Sequence, residues 1–213
     1  TLTHLAVDGD AGRAEQFVVA LMATGVPLPQ IFLHLLSPAA KLMGLLWEDD
    51  VYSFPQVTIG LWRLQQVLHE QSRRIQPTDP DGRGQRLLLA HVPGAQHTFG
   101  AAMVGEFFAR DGWHVHYEPQ SAWADLHAEV SCGWYDVLGL SIATDDSVAA
   151  AASAILELRR ASQNKQLFVM VGGPAAFMVA DLSQRCGADA VACDAASALA
   201  MANGNVRAAC GAR

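Results

Sequence analysis

The chain has 213 residues, which fits one large domain or two small ones. Apolar residues make up 51% and charged residues 16%, a balance that excludes a disordered chain, because disordered sequences are charged and poor in apolar side chains. Fourteen Lys and Arg against 21 Asp and Glu leave a formal net charge of −7, which repels phosphate and argues against direct nucleic-acid binding.

No apolar run reaches the roughly 20 residues that cross a bilayer, and Thr1–Asp10 holds no basic n-region, so no membrane and a cytoplasmic setting are expected. Cys132, Cys186, Cys193 and Cys210 form no C-x-x-C pair and no zinc-like spacing, and are expected as reduced thiols. A start without Met and a loose, small-residue end around Cys210 suggest a piece of a longer protein.

The first 75 residues read as helices. Phe17, Val18, Leu21 and Met22 recur at helical spacing until Gly25-Val-Pro-Leu-Pro29 breaks the pattern. Ile31, Leu35, Leu36, Leu42, Leu45 and Leu46 continue a second run, which Pro38 is expected to kink or split. A third segment, about Phe54 to Ile75, carries a stripe of Val57, Leu61, Leu64, Val67 and Leu68. Helices of this length bury their stripes only against one another, so a small bundle over 1–75 follows. Gln76-Pro-Thr-Asp-Pro-Asp-Gly-Arg-Gly84 has nothing to pack and reads as a linker, 76–85.

Beyond it, short apolar runs alternate with helical stretches: Leu87–Val92, Ala101–Arg110, Val115–Tyr117, Trp123–Val130, Val137–Ile142, Val148–Leu158, Leu167–Val171, Ala175–Cys186, Ala190–Cys193 and Ala195–Met201. Five strands alternating with helices predict an α/β domain over 86–205 with an open, doubly wound parallel sheet, followed by a tail, 206–213. In such sheets ligands bind beyond the carboxyl ends of the strands, near the point where strand order reverses.

The loop after the first strand, Val92-Pro-Gly-Ala-Gln-His-Thr-Phe-Gly100, is neither a dinucleotide fingerprint nor a P-loop. It offers one imidazole, His97, which is either a metal ligand or a solvated or capping side chain. After the third strand, Ser141 and Thr144 can meet a polar ligand, although Thr144 or Asp145 can equally cap the next helix. Gly172-Gly173 after the fourth strand allows close approach of a flat ligand, or makes an ordinary tight turn. In the helical half, Trp47, Tyr52 and Phe54 stand with three acids at a helix junction; they either cover a planar ligand or are core aromatics.

This layout is similar to that of cobalamin-binding modules, whose fingerprint is D-x-H-x-x-G, then S-x-L/T, then G-G; here stand Ala95-Gln-His97-Thr-Phe-Gly100, Ser141-Ile-Ala143 and Gly172-Gly173. The resemblance implies a flavodoxin-like, B12-binding-type sheet. His97 would be the axial metal ligand, with Gly100, Ser141, Thr144, Gly172, Gly173 and the aromatics Trp47, Tyr52 and Phe54 around the group. The chain departs from the pattern at Ala95, where the family carries the Asp that hydrogen-bonds the ligand His. That speaks against a catalytic cycle using the Asp–His relay.

The stretch Leu46–Leu68 and the ending Gly187–Ala196 are similar to the sensor domain of the AppA/AerR/PpaA antirepressors of purple photosynthetic bacteria, most of all the AppA branch. That resemblance implies a redox- or light-responsive module that docks onto a PpsR/CrtJ-type transcriptional repressor. It would work within a longer photoreceptor chain, with a flavin domain before Thr1 and a Cys-rich tail after the end. It implies a tetrapyrrole, heme ahead of cobalamin, and without C-x-x-C-H any heme is non-covalent. The alternatives are a corrinoid-carrying subunit of a methyltransferase or mutase, and a scaffold with no ligand. No enzyme is expected, since Ser141 lies in no G-x-S-x-G elbow and no paired carboxylates stand out.

Overall fold

The computed structural model describes residues 1–9, 12–73, 84–94, 98–119 and 122–211. It divides into two compact units, Thr1–Gln76 and Pro77–Arg213. Most of the stretch read as a linker lies outside the described residues.

The first unit is helical: α1 (Leu2–Val7), α2 (Arg13–Ala23), α3 (Leu28–Ile31), α4 (Ser37–Glu48) and α5 (Phe54–Arg73). Pro38 does not split the second run. The helix continues from α3 into α4 through one π-helical turn, Phe32–Leu36, with Pro38 in the first turn of α4. Proline has no N–H for the carbonyl four residues back and crowds it, and a wider turn just before the ring relieves both problems. On α5, Val57, Leu64, Val67 and Leu68 are buried, together with Gln71. The Arg63 guanidinium donates to the carbonyls of Ala6 (2.7 Å) and Val7 (3.1 Å), satisfying carbonyls at the buried C-terminal end of α1.

The junction between α4 and α5 is tightly built. Asp50 takes a left-handed conformation, φ 56°, and the N–H groups of Val51 and Tyr52 both bond to the Leu46 carbonyl at 2.8 and 3.0 Å. Gln56 then reaches back to the N–H and hydroxyl of Ser53 at 2.9 and 2.8 Å, a capping interaction that starts α5.

The second unit holds five parallel strands, β1 (Arg86–His91), β2 (His114–Glu118), β3 (Val137–Ser141), β4 (Phe168–Gly172) and β5 (Ala190–Val191), in the order β2-β1-β3-β4-β5. Its helices are α6 (Phe99–Arg110), α7 (Trp123–Cys132), α8 (Asp146–Ala161), α9 (Ala175–Met178), α10 (Leu182–Cys186) and α11 (Ala195–Gly211). The two-residue period sorts each strand between two cores. Leu88, Ala90, Leu138, Leu140, Val169 and Val171 pack with residues of α7, α8 and α10, while Leu87, Leu89, Val137 and Met170 pack with α6 and α11. The predicted doubly wound parallel sheet is therefore present, with strand edges within two residues of those expected.

Two expectations are corrected. The helix expected over Ala175–Cys186 is two short helices, broken where Val179 is extended and Asp181 takes φ 52°. No glycine or proline marks the break, but Asp tolerates this conformation better than most side chains do. The residues read as a tail from 206 continue α11 through Gly211, in keeping with the high helix propensity of their alanines. Among the described residues no helix is long and apolar enough to cross a membrane.

Candidate functional site

The chain runs β1 to β2 on one side of the sheet and returns to β3 on the other, so strand order reverses between β1 and β3. The crevice beyond their carboxyl ends is where such sheets hold ligands. Three predicted residues come together there. Ser141 ends β3 and lies level with His91 on β1 and Gly172 on β4. The backbone is closed by bonds from Val92 N–H to Ser141 O (3.0 Å), from Ile142 N–H to Gly172 O (2.9 Å) and from Ala175 N–H to Ile142 O (3.0 Å).

The glycine pair is demanded by this packing. Gly173 has φ +86°, and a Cβ on it would stand 2.7 Å from both Ile142 O and Ser141 Oγ. A Cβ on Gly172 would meet Ala192 O at 3.0 Å. The strand ends of β3 and β4 thus form a floor made of backbone and one half-buried hydroxyl, that of Ser141. No hydrogen bond of Ser141 Oγ to a described residue is formed.

The other predicted residues are placed as follows. Thr144 is exposed, and its Oγ1 lies 2.9 Å from Ser147 Oγ in the turn that starts α8, an interaction of the helix-starting kind. Asp145 is the N-cap residue of α8 without a side-chain cap bond, and pairs with Arg185 at 2.7 Å. Gly100 lies in the first turn of α6, exposed, and among the described residues nothing outside its own helix backbone comes within 4 Å of where a Cβ would be. His97 and Ala95 lie outside the described residues.

In the helical unit, Trp47 and Phe54 meet edge to face, ring centroids 6.3 Å apart, and are 45% and 62% exposed. Tyr52 does not join them. It is buried, and its hydroxyl lies 2.8 Å from His4 Nδ1. Burial, with the Asp8 carboxylate next, raises its phenol above the ordinary value.

Sequence reasoning missed His91 and Tyr117. His91 closes β1, is 2% exposed, and its Nε2 lies 2.9 Å from the Tyr117 hydroxyl on the neighbouring strand β2. That hydroxyl also donates to Thr98 O at 3.2 Å, at the far end of the first loop. Because the single phenolic proton goes to this carbonyl, His91 Nε2 is the donor in the other contact. Burial pushes the Tyr117 phenol up to about 12. The two residues are 26 apart and meet only through strand register, so no local spacing announces them.

Comparison with known proteins gives a consistent picture. A B12 binding domain model matches residues 85–202, and a second B12 binding domain model matches residues 1–70. The chain is 30% identical over 174 residues, 81% of its length and 90% of the relative's, to an uncharacterized 20.5 kDa protein in the bchF-crtJ intergenic region of Rhodobacter capsulatus. Among solved structures, the monomethylamine corrinoid protein of Methanosarcina barkeri superposes with a TM-score of 0.78 at 19% identity over 94% of both chains. A novel cobalamin-binding protein from Desulfitobacterium hafniense DCB-2 gives 0.50 at 18% over 95% of both. At these identities the two structures speak for the fold alone. The model match over more than half of the chain and the Rhodobacter relative together establish that this chain belongs to the B12-binding domain family.

Proposed function

We propose that the chain is a cobalamin-binding sensory module of an AppA/AerR/PpaA-type antirepressor, in which ligand state at His97 alters a surface that docks onto a PpsR/CrtJ-type repressor. The observation that carries this reading is the match of B12 binding domain models to both the helical and the α/β parts, in that order along one chain. The described residues fit such a group. No side chain of a described residue crowds Gly100 at the first turn of α6, and Ser141 offers a hydroxyl free of other described partners beside the bare Gly172–Gly173 backbone. His97 would hold the metal, Ser141 would donate to the amide- or phosphate-bearing periphery, and the glycines would keep side chains out of its way. When bound, the corrin supplies a metal whose axial coordination responds to redox state and to light.

The regulatory half of the reading is supported by the relative from Rhodobacter capsulatus, whose name locates it beside crtJ, the name borne by the repressor class that the sequence resemblance implies. The resemblance favoured heme; the family match favours cobalamin, and cobalamin is the group proposed.

Hydroxocobalamin titrated into the purified chain is expected to give a saturable shift in visible absorbance that His97→Ala abolishes. Identical spectra from the two proteins overturn His97 as the ligand. A sharp, His97-dependent Soret band with hemin, and no shift with cobalamin, makes heme the group instead. Retention of a PpsR/CrtJ-type repressor is expected to differ between loaded and unloaded chain. Methyl transfer from bound methylcobalamin without repressor binding would make the chain a corrinoid-carrying subunit.

A further inference from the structure

Among the described residues of the α/β unit, the two most exposed large apolar side chains are neighbours, Phe177 at 60% and Met178 at 66%. Both stand on α9, in the turn that follows Gly172 and Gly173, and so at the carboxyl end of the sheet. They are not exposed by a loose loop. Gly173 sets the turn with φ +86°, and Ala176 N–H donates to Gly173 O and Phe177 N–H to Pro174 O, both at 3.1 Å. Ala175 N–H reaches across to Ile142 O beyond the end of β3, at 3.0 Å. Ala175 is wholly buried, and Ala176 packs against the same core as α8 and α10. The alanines of α9 thus face inward and its two large side chains outward, the reverse of what burial alone selects.

We propose that Phe177 and Met178 are an apolar rim of the ligand crevice, covered by the macrocycle of the bound corrinoid. The proposal rests on the cobalamin reading above and adds two contact residues to it. A corrin carries amides at its periphery but presents apolar faces and methyl groups as well. The floor of backbone and one hydroxyl suits the amides; two apolar side chains beside that floor suit the rest. Because the turn is already fixed by its own hydrogen bonds, binding orders little of it. A protein partner fits the pair less well, since a stable interface covers roughly 800 Å² on each side. The other exposed large apolar side chains described in this unit are dispersed: Trp134 precedes β3 at its amino end, and Leu156 and Met201 lie along α8 and α11.

The test titrates hydroxocobalamin into the full chain and into Phe177→Ser, Met178→Ser and Leu156→Ser, following visible absorbance. All three substitutions replace exposed side chains, so urea midpoints are expected to match wild type. Leu156, 52% exposed, is the control, because it lies about 15 Å along α8 from the carboxyl end of the sheet. Phe177→Ser and Met178→Ser are each expected to weaken binding about five-fold while leaving the spectrum at saturation unchanged, since they touch the ring and not the metal. Leu156→Ser is expected to bind as wild type does. Wild-type affinity in both rim variants, with the saturable shift intact, overturns the rim and leaves the proposed function standing. An equal loss in Leu156→Ser overturns it as well. So does loss of repressor retention in the rim variants at unchanged cobalamin affinity, which makes the pair a protein-docking patch. No saturable shift in wild type removes both the function and the rim.

Discussion

The two sides of the candidate crevice are built on different principles. Between β3 and β4 the floor is covalently simple and sterically strict: backbone bonds at 2.9 and 3.0 Å close it, and Gly173 sits where a Cβ would stand 2.7 Å from two oxygens. Above β1 the loop is held by its ends, through Val92 to Ser141 and through Thr98 to the Tyr117 hydroxyl. The first arrangement tolerates no added atom; the second depends on hydrogen bonds that can be removed singly. The floor therefore sets shape, while the described ends of the loop are each held by hydrogen bonds to neighbouring strands.

That contrast can be broken most severely at the floor. Gly173→Ala places a side chain at φ +86° against Ile142 O and Ser141 Oγ. It is expected to cost about 3 kcal/mol, read as a lower urea midpoint at unchanged slope, and to abolish cobalamin binding. A variant of wild-type stability would mean that the floor yields and does not set shape.

A second test uses pH. Tyr117 and Tyr135 are each pushed up to about 12, chiefly by burial, and Tyr52 is raised as well. The chain has 3 tyrosines, so the folded protein is expected to develop little phenolate absorbance at pH 10. With folded values above the unfolded one, the stability these groups contribute is fully present below pH 10 and is lost as pH rises from about 10 to about 12. Unfolding and phenolate absorbance should rise together in that window, and Tyr117→Phe should soften the loss. Normal titration near pH 10 in a folded chain would remove the anchor from the loop.

The smallest expected effect is at Thr144, whose hydroxyl is spent on Ser147 at 2.9 Å on the exposed start of α8. Thr144→Ala is expected to change stability by less than about 0.5 kcal/mol and to leave cobalamin affinity unchanged. A loss of about ten-fold would instead put Thr144 among the ligand-holding residues.

The alternation of apolar runs was enough to read five strands and their order along the chain, because the two-residue period and the intervening helical stripes are local properties. Glycine paired at the end of a predicted strand was legible for the same reason: Gly172-Gly173 is a backbone signal carried by the residues themselves. The break inside 175–186 was not legible, since Asp181 adopts its left-handed conformation without a glycine or proline to announce it. Nor was the fate of Tyr52, which the spacing grouped with Trp47 and Phe54 and which the bundle turns toward His4 instead.

Local sequence alone determined the class of this protein: helices first, then a parallel α/β sheet with glycine and serine at two strand ends. Tertiary structure alone decided which of those residues meet. Ser141 and Gly173 are 32 positions apart and touch through neighbouring strands, and Tyr117 reaches Thr98 across 19 positions because β2 lies beside β1. Periodicity is written in neighbouring residues, whereas contacts of that range exist only once strand order and register have been chosen by packing on both faces of the sheet.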